Sequence, residues 1–552
     1  MTDRLTIALA QLNPIMGDIP GNLAKARAAR AQAANADLIL FTELFITAYP
    51  PEDLVLKPAL QEDAREAIEK LARDTADGGP AVLIGTPWVE EGKLYNAFAY
   101  LDAGEVKAIT RKVDLPNYGV FDEKRVFAVG PMPGPLNIRG VRIGVPICED
   151  IWTPDVVECL SETGSEILLV PNGSPFEAGK EDVRLNHIVS RVTESGLPLV
   201  YLNQLGGQDE IVFDGSSLVM NADRSIAVSF PSWEEKIALT HWRRDNGKWM
   251  CEPGEKSAEE DRSTSVYQAM MLGLRDYVNK NRFPGVVLGL SGGIDSALSA
   301  AVAVDALGAD RVRCVMMPSR YTSQESLDDA EECAKMLGVK YETISIEAAV
   351  NAFGDTLKDA FAGKRADTTE ENIQSRIRGV ILMAISNKFG PMVLTTGNKS
   401  EMSVGYATLY GDMCGGYNVL KDVYKMEVFR LSRWRNQMLP KNALGPSGRV
   451  MPENIITRPP SAELRENQKD EDSLPPYEIL DGILECLVEK EMKFEDVCAK
   501  GYHPATVKRI EQLLYVSEYK RRQAPPGVKI SARNFGRDRR YPITNAFRDA
   551  HL

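Results

Sequence analysis

The first part of the sequence alternates short apolar runs with segments of helical spacing. Helical periodicity predicts one helix at residues 22–34, before the first run, and another at 62–76, between two runs. The apolar runs, at 36–41, 81–89, 141–147, 166–172, 197–203 and 216–220, are ADLILF, AVLIGTPWV, VRIGVPI, EILLVPN, LPLVYLN and SSLVM. Buried strands that alternate with helices predict stacked α and β layers.

The alternation stops in a polar stretch without periodicity, RRDNGKWMCEPGEKSAEEDR, and then restarts. Three helices are predicted at 264–280, 297–307 and 325–337, separated by the strand-like runs VVLGL and VRCVMMP and followed by YETISI. This order is typical of a doubly wound parallel α/β domain. We therefore predict a first α/β domain at 1–242, a linker at 243–262 and a second domain at 263–552.

One later segment has a different character from both domains. Residues 452–476 are rich in proline and charge, which predicts a mobile excursion before a final helical part.

Composition narrows the class of protein. The chain has 552 residues, 44% of them hydrophobic and 26% charged, with a formal net charge of -13, so disorder and a general nucleic-acid or membrane-surface partner are disfavoured. Four histidines are too few to favour a His-rich metal site. The eight cysteines form no Cys-x-x-Cys pair, and no apolar run approaches the ~18 residues of a membrane span. These features predict free thiols in a cytoplasmic protein.

Paired glycines stand between the run VVLGL and an Ala-rich helix. The stretch is Gly289-Leu290-Ser291-Gly292-Gly293-Ile294-Asp295-Ser296. Glycines at a strand-to-helix junction allow a tight turn whose N–H groups, together with the helix N-terminus, can bind a phosphate. A plain turn is the alternative, but the neighbouring Ser291, Asp295 and Ser296 favour phosphate binding. The stretch lacks the lysine of a Walker loop, and SGGIDS resembles the pyrophosphate loop of the ATP pyrophosphatases, which form adenylates.

Two further stretches extend this resemblance. TGNKSE follows a strand-like run, YGDMCGG comes soon after it, and with SGGIDS they resemble the synthetase domain of the NAD synthetase family from about residue 264 to the C-terminus. The resemblance implies an adenine nucleotide α-hydrolase-like fold in which residues 289–296, Thr396 and Lys425 bind ATP. It also implies that Asn372, Glu401 and Lys520 bind deamido-NAD. The stretch TTEE at 368–371 has capping-box spacing and predicts the start of the helix that carries Asn372.

Magnesium is expected beside the phosphates. A Mg²⁺ that bridges phosphates needs oxygen ligands, which Asp295 and Glu401 can supply. The tail at 520–540 holds eight basic residues and one acidic residue, and the anionic substrates are its simplest counter-charge, although an RNA contact or a solvated surface stays open.

Three motifs in the first domain together indicate a catalytic site. Glu43 lies in FTELF, Lys112 opens KVDLPNYGVFDEKRVF and Cys148 lies in PICEDIW. Alone, each is typical of a surface or core residue, but together they resemble the nitrilase-type amidase superfamily, which implies an α/β/β/α sandwich over 1 to about 235. With no histidine nearby, Glu43 can deprotonate the Cys148 thiol while Lys112 stabilises the oxyanion. The family has a second, supporting glutamate, for which Glu123 is the candidate.

The substrate of this amidase is predicted from a neighbouring segment. PNGSPFEAGK resembles the glutamine-recognising segment of glutaminase members, although NGSP is also a turn. The resemblance implies that Ser174 accepts a hydrogen bond from the α-ammonium of L-glutamine and that Lys180 pairs with its carboxylate. Tyr118, just after the lysine motif, is a further residue predicted to bind glutamine.

The two halves fit one reaction, because an amidase releases ammonia and an adenylating enzyme consumes an amine. The whole chain resembles the glutamine-dependent members of the NAD synthetase family, which implies L-glutamine, ATP and deamido-NAD as substrates, Mg²⁺, an enclosed path for ammonia and a homo-oligomer. One alternative is a GMP synthetase-type amidotransferase, whose Cys-His-Glu glutaminase has no matching motif around Cys148. The other is a catalytically silent binding protein.

Overall fold

A computed structural model describes residues 3–466 and 468–549. Contacts within the chain divide it into two compact units, Met1–Glu260 and Asp261–Leu552.

Over its described residues, the first unit contains fifteen strands and five helices. The strands are β1 (Arg4–Gln11), β2 (Leu38–Leu40), β3 (Ala81–Glu90), β4 (Lys93–Asp102), β5 (Glu105–Arg111), β6 (Leu136–Ile138), β7 (Val141–Gly144), β8 (Ile167–Asn172), β9 (Leu199–Asn203), β10 (Leu205–Gln208), β11 (Ile211–Asp214), β12 (Leu218–Met220), β13 (Ile226–Ser229), β14 (Lys236–Asp245) and β15 (Lys248–Cys251). The helices are α1 (Ile19–Gln32), α2 (Pro58–Asp74), α3 (Glu123–Val126), α4 (Asp155–Glu162) and α5 (Lys180–Ser195).

Two sheets of the first unit pack face to face between helical layers. One sheet has the order β15-β14-β1-β2-β3-β4-β5 and the other β13-β12-β9-β8-β7-β6. Side chains of β1 alternate between two cores: Leu5, Ile7 and Leu9 pack against the other sheet, whereas Ala8 and Ala10 pack with α1 and α2. Helices α4 and α5 cover the second sheet. The predicted α/β/β/α sandwich is confirmed.

The part of the second unit that the structure describes contains five strands and twelve helices. The strands are β16 (Val286–Gly289), β17 (Val312–Met316), β18 (Lys340–Thr343), β19 (Met392–Thr395) and β20 (Tyr417–Asn418). The helices are α6 (Arg262–Lys280), α7 (Ile294–Leu307), α8 (Gln324–Leu337), α9 (Glu347–Leu357), α10 (Thr368–Phe389), α11 (Lys399–Val404), α12 (Lys425–Gln437), α13 (Glu453–Thr457), α14 (Tyr477–Leu484), α15 (Phe494–Ala499), α16 (Pro504–Val516) and α17 (Glu518–Arg521).

The sheet of the second unit is parallel throughout, with the order β18-β17-β16-β19-β20. The chain therefore adds β17 and β18 on one side of β16 and then returns to form β19 and β20 on its other side. Helix α10 packs on one face through Ile377, Leu382 and Ile385, which belong to the same core as Val287 and Val393. This doubly wound arrangement confirms the predicted class, and ligands of such sheets bind where the strand order reverses, beside the carboxyl ends of β16 and β19.

Residues 243–251 differ from the predicted linker. They form the end of β14 and the whole of β15, which pair with each other at the edge of the seven-stranded sheet. The hairpin was hidden in the sequence because an edge strand alternates polar and apolar residues only weakly, whereas its buried Trp242, Trp249 and Cys251 contact the core of the sandwich. Strands β4 and β5 were not predicted either.

The segment 452–476 is not a structureless excursion in the described residues. It contains α13 and a 3-10 turn at Asp470–Asp472, and much of it lines the cavity described below. No helix in the described part of the chain combines the length and the apolar composition that crossing a membrane requires.

Candidate active sites

Three chain segments bring Glu43, Lys112 and Cys148 to one place in the first unit. Glu43 lies just after β2, Lys112 directly after β5, and Cys148 opens a 3-10 turn, Cys148–Ile151, after β7. Glu43 and Lys112 are fully buried and Cys148 is 5% exposed. The three residues that the sequence predicted are therefore assembled by both sheets of the sandwich.

Lys112 is held between two carboxylates. Its Nζ donates to Glu43 Oε1 at 2.7 Å and to Glu123 Oε1 at 2.8 Å. Asn96 Nδ2 also donates to Glu43 Oε1 at 2.7 Å, and the Tyr49 hydroxyl donates to Glu123 Oε1 at 2.7 Å. Asn96 and Tyr49 were missed by the sequence prediction, although a polar residue inside the apolar run LYNAFAYL was an available signal.

The backbone is closely fitted around this group. The Gly173 N–H donates to Glu43 Oε2 at 2.9 Å, and a Cβ at Gly173 would lie 2.6 Å from the Tyr49 ring, so only glycine fits there. Cys148 has φ 47, in the left-handed region that non-glycine residues rarely occupy. Such a conformation presents a side chain at a sharp turn and needs support from its surroundings.

The electrostatics of the site fix the resting protonation states. Burial alone would lower the pKa of Lys112, but the charges of Glu123 and Glu43 outweigh it and raise the pKa above its ordinary value. Burial and the charge of Glu43 raise the pKa of the Cys148 thiol, against the opposing charge of Lys112. Cys148 thus carries a neutral thiol beside a fixed cation, and a thiol in this state must lose its proton before it can act as a nucleophile.

Glu123 differs from Glu43 in its environment. Burial raises the pKa of Glu123 to about 7, with Lys112 opposing and Glu43 adding to the rise. Its contacts with Lys112 and Tyr49 give it a supporting position, because it accepts a second hydrogen bond from the lysine that also donates to Glu43.

Replacing Lys112 with methionine is expected to lower the free energy of unfolding of the first unit by about 3–5 kcal/mol at pH 8, since Glu43 and Glu123 would face each other without a cation. The loss should be smaller at pH 6. Lys112 lowers the pKa of Glu123, so its removal raises that pKa further above about 7. A carboxyl with a raised folded-state pKa contributes fully to stability below its unfolded-state pKa and loses that contribution as the pH rises to the folded-state pKa. Urea unfolding followed by tryptophan fluorescence measures this, because five of the six tryptophans lie in the first unit.

The matched control is Lys107→Met on β5, an exposed lysine that pairs with Glu105 at 2.6 Å. Exposed pairs contribute about 0–1 kcal/mol, so this variant should unfold close to the wild type. Equal stability of both variants would contradict the view that Lys112 neutralises a buried carboxylate pair.

Two residues predicted to bind glutamine, Tyr118 and Lys180, lie near Glu149, which was not predicted. The Tyr118 hydroxyl donates to Glu149 Oε1 at 2.9 Å, and Lys180 Nζ lies 5.9 Å from the centre of the Phe121 ring and 5.7 Å from that of Trp152. Burial raises the pKa of Glu149, and Tyr118, Lys112 and Lys180 oppose that rise. Glu149 follows the nucleophile directly in the chain, which was the signal that sequence reasoning did not use.

Ser174 lies deeper than the other predicted glutamine ligands. It is 3% exposed, and its Oγ accepts from Arg184 Nε at 3.2 Å. Arg184 in turn pairs with Asp214 at 2.7 Å. The Ser174 hydroxyl is therefore oriented by a buried arginine rather than by solvent.

The second unit has a cavity of about 570 Å³ at the point where the strand order reverses. All eight residues of the predicted loop, 289–296, line it, together with Thr396, Glu401 and Lys425. Gly292 has φ 81 and a Cβ there would lie 2.3 Å from the Ser326 carbonyl oxygen, so the turn requires glycine. Ser291 and Ser296 contact each other through their hydroxyls at 3.1 Å, which closes the loop over the N-terminus of α7.

Charged side chains meet at the floor of this cavity. Lys425 Nζ contacts Asp295 Oδ2 and donates to Glu401 Oε1 at 3.1 Å. Burial and the charges of Asp295 and Asp470 raise the pKa of Glu401 to about 7, against Lys425. Asp470, from the segment predicted to be an excursion, accepts from the Tyr477 hydroxyl at 2.9 Å. One lysine thus faces more carboxylates than it can neutralise.

This donor set fits a magnesium ion carried by nucleotide phosphates. Among the described residues, no group of three or more His, Cys, Asp or Glu side chains is arranged to hold a metal ion by itself. Mg²⁺ usually takes one or two carboxylates from the protein and completes its shell with water and phosphate oxygens. Asp295 and Glu401 can supply such ligands where they line the cavity.

Two predicted dinucleotide ligands lie outside the cavity lining. Asn372 Oδ1 accepts from the Thr408 hydroxyl at 2.9 Å, and Lys520 Nζ donates to the carbonyl oxygens of Gly405 and Ala407 at 2.8 and 2.7 Å. Both residues therefore hold the loop after α11, of which Thr408 does line the cavity.

Several cations of the basic tail pair with carboxylates of their own unit, and the expectation that the tail faces anionic substrates stays a prediction. Arg521 and Arg539 both pair with Glu518 Oε2, at 2.7 and 2.8 Å, and Lys529 pairs with Asp538 at 2.9 Å. The sequence could not show this because Glu518 lies just before the counted stretch. A different cation, Arg458, reaches the phosphate loop and donates to the Gly292 carbonyl oxygen at 3.2 Å.

Comparisons with known proteins agree with this geometry. The carbon-nitrogen hydrolase family model matches residues 6–246, and the NAD synthase family model matches residues 266–524. A glutamine-dependent NAD(+) synthetase of Rhodobacter capsulatus is 53% identical over 551 residues, covering 100% of both chains, and one of Thermotoga maritima is 43% identical, covering 99% of each. The solved structure of the Acinetobacter baumannii glutamine-dependent NAD+ synthetase with ADP is similar, with 42% identity, 99% coverage of each chain and a TM-score of 0.78.

Proposed function

This chain belongs to the family of glutamine-dependent NAD(+) synthetases, and from that premise we propose how its residues divide the reaction between two sites. The enzyme is a ligase that hydrolyses L-glutamine, activates deamido-NAD with ATP as an adenylate, and uses the ammonia to form NAD, AMP and pyrophosphate. The observation that carries the division is the buried contact of Lys112 with Glu43 beside Cys148, in a unit separate from the phosphate loop.

In the first site, Cys148 is the nucleophile. Its sulfur attacks the amide carbon of glutamine while Glu43 takes the thiol proton, and Lys112 stabilises the developing oxyanion. When the C–N bond breaks, Glu43 returns that proton to the leaving nitrogen, which departs as ammonia and leaves a thioester. Water, deprotonated by Glu43, then hydrolyses the thioester to glutamate and the free thiol.

Glutamine is positioned by its charged end. Lys180 is suited to the α-carboxylate, whereas the α-ammonium is suited to Glu149, with Tyr118 and Ser174 as further polar contacts. The support for Glu149 is its place beside the nucleophile and its hydrogen bond from Tyr118. It discriminates glutamine from amides that lack an amino group.

Glu149→Gln is expected to raise the KM for glutamine about 10–100-fold, because a charge-assisted hydrogen bond contributes about 1.5–3 kcal/mol, while ammonium-driven synthesis stays unchanged. Steady-state glutamate release measures the KM. Glu158→Gln, on the exposed face of α4, is the control and should behave as the wild type. An unchanged KM for glutamine would remove Glu149 from the binding site.

In the second site, residues 289–296, Thr396 and Lys425 bind ATP. A magnesium ion held by Asp295 and Glu401 supplies charge neutralisation for the phosphates when bound. The nicotinate carboxylate attacks the α-phosphate, pyrophosphate leaves, and ammonia displaces AMP. Glu401, with Asn372 and Lys520 supporting the loop beside it, contacts deamido-NAD.

Product analysis tests this function. The protein is supplied with glutamine, ATP, Mg²⁺ and deamido-NAD, and NAD, AMP, pyrophosphate and glutamate are quantified, with parallel reactions containing ammonium instead of glutamine or EDTA in excess of Mg²⁺. We expect NAD from both nitrogen sources and none with EDTA. Pyrophosphate release with xanthylate instead of deamido-NAD would favour a GMP synthetase, and absence of glutamate release would favour a silent binding protein.

Three finer properties complete the proposal. We propose an enclosed route for ammonia, since free ammonia is mostly ammonium at neutral pH; amide-¹⁵N glutamine should label NAD even with excess unlabelled ammonium present. We propose a homo-oligomer, which light scattering after gel filtration measures. We propose a cytoplasmic location, supported by eight cysteines that are all free.

A further inference from the structure

The turn that carries Cys148 also carries a buried carboxylate that the reaction above does not use. Asp150 is 1% exposed and belongs to the same 3-10 turn. Its Oδ1 accepts from the Val113 N–H at 3.1 Å and the Asp114 N–H at 2.7 Å, and its Oδ2 accepts from the Ile147 N–H at 2.9 Å. Burial raises the pKa of Asp150 to about 7 against the main-chain N–H donors to its two oxygens, which lower the pKa because they favour the charged carboxylate.

The donors belong to the two catalytic segments. Ile147 directly precedes the nucleophile Cys148, while Val113 and Asp114 directly follow Lys112. The Asp150 carboxylate therefore links the backbone beside Cys148, the proposed nucleophile, to the backbone beside Lys112, the proposed oxyanion-stabilising cation. We infer that Asp150 is a positioning residue that sets the distance from Cys148 to Lys112 for glutamine hydrolysis, an inference that rests on the proposed function of the first site.

The Cys148 turn needs such a connection. Strand β7 ends at Gly144, so residues 145–147 leave the sheet before the turn begins, and Cys148 itself adopts φ 47. A residue in this region is maintained only when its surroundings fix the backbone. Asp150 supplies a fixed point immediately before the strained residue, through the Ile147 N–H.

The Lys112 segment is already fixed on its other sides. The Lys112 N–H donates to the Asn96 carbonyl oxygen at 2.8 Å, and the Lys112 carbonyl oxygen accepts from the Gly130 N–H at 2.8 Å. The lysine backbone is thus a rigid reference on the seven-stranded sheet. Because the Cys148 turn is hydrogen-bonded through Asp150 to this rigid backbone, the position of Cys148 is restricted as well. A misplacement of about 1 Å at a reacting group can lower the rate about 100-fold.

The carboxylate cannot be replaced by an amide without loss. Asparagine at this position would keep one acceptor oxygen for Val113 and Asp114, but its NH₂ group would face the Ile147 N–H, donor against donor. Asp150→Asn therefore keeps the shape of the side chain and breaks the connection on the Cys148 side.

The experiment compares Asp150→Asn with the wild type in the full chain, using steady-state glutamine hydrolysis. We expect kcat to fall about 100-fold while the KM for glutamine changes less than about 3-fold, because Asp150 does not touch the substrate. Ammonium-driven synthesis should stay at the wild-type level. Asp37→Asn is the matched control: Asp37 accepts from a main-chain N–H, that of Thr6 at 2.7 Å, outside the catalytic segments.

A second measurement separates positioning from general stability. Iodoacetamide labelling of Cys148, followed by mass spectrometry of its peptide across a pH series, reports thiolate formation. Burial and the charge of Glu43 raise the pKa of Cys148, and the charge of Lys112 opposes that rise to a lesser extent, so a turn that moves away from this pair should shift the labelling profile to lower pH. A residue that only stabilised the fold would leave this profile unchanged in folded protein.

The outcomes are distinct. A kcat within 3-fold of the wild type, an unshifted labelling profile, or a KM effect as large as the kcat effect overturns the inference. If the tryptophan fluorescence of Asp150→Asn shows an unfolded first unit, Asp150→Glu, which keeps the charge on a longer side chain, is judged by the same criteria. Absence of glutamine hydrolysis in the wild type would instead overturn the proposed function.

Discussion

Cys148→Ala is expected to abolish glutamine-driven NAD formation and to leave ammonium-driven formation near the wild-type rate. Loss of the nucleophile removes covalent catalysis, which typically lowers the rate by about 10⁴-fold or more. The proposed synthetase site lies in the second unit and needs only free ammonia as its nitrogen source. NAD formation with each nitrogen source, measured on the same preparation, gives the comparison.

Cys159→Ala is the matched control for this experiment. Cys159 is a free, half-buried cysteine of the same unit on α4, outside the Glu43–Lys112 group. It should keep both activities. Loss of the ammonium-driven activity in Cys148→Ala, together with the glutamine-driven one, would contradict the division of labour between the units.

Lys425→Met is expected to have the complementary effect, lowering NAD formation from both nitrogen sources by about 10²–10³-fold. Lys425 is 1% exposed and lines the cavity beside the phosphate loop, where its ammonium group contacts Asp295 and Glu401. Without it, these carboxylates would repel the triphosphate, and the pKa of Glu401, which Lys425 holds down, would rise further. Glutamate release in the absence of the other substrates should persist.

The control for this prediction is Lys388→Met, an exposed lysine near the end of α10 that does not line the cavity. Its NAD formation should match the wild type. Ammonium-driven synthesis by Lys425→Met within 10-fold of the wild-type rate would place the phosphate-binding cation elsewhere, with Arg458 the first residue to consider because it reaches the Gly292 carbonyl oxygen.

The fold was predictable where burial is uniform along an element. Strands β8 and β9 are buried throughout, so their continuous apolar runs identified them, and the long helix α6 followed from its period. Uniform burial was not sufficient, because β4 is buried over residues 95–101 and was still missed, as was the only partly buried β5. The capping box of α10 is formed by Asp367 and Glu370, one residue before the pair that the spacing of TTEE predicted.

Candidate residues were predictable where a short motif contains the whole chemical unit. The glycines and hydroxyls of 289–296 are contiguous, so local geometry alone assembles the loop. Asn96 and Glu149 carried local signals that were not used, whereas Asp470 was missed because its significance depends on the distant Glu401 and Lys425 near it. The charge of the 520–540 tail was counted without its partners outside that stretch, such as Glu518, which pairs with both Arg521 and Arg539.

The amino-acid pattern alone was enough to predict the two α/β units, to place a candidate phosphate loop between β16 and α7, and to identify Glu43, Lys112 and Cys148 as candidates. The three-dimensional arrangement was needed to show that Lys112 is shared by two carboxylates, that Asp150 joins the backbones beside Lys112 and Cys148, and that the Tyr477 hydroxyl contacts both Glu401 and Asp470. The physical reason is that protonation and positioning depend on burial and on charges separated by tens to hundreds of residues, which the local pattern of a chain does not record.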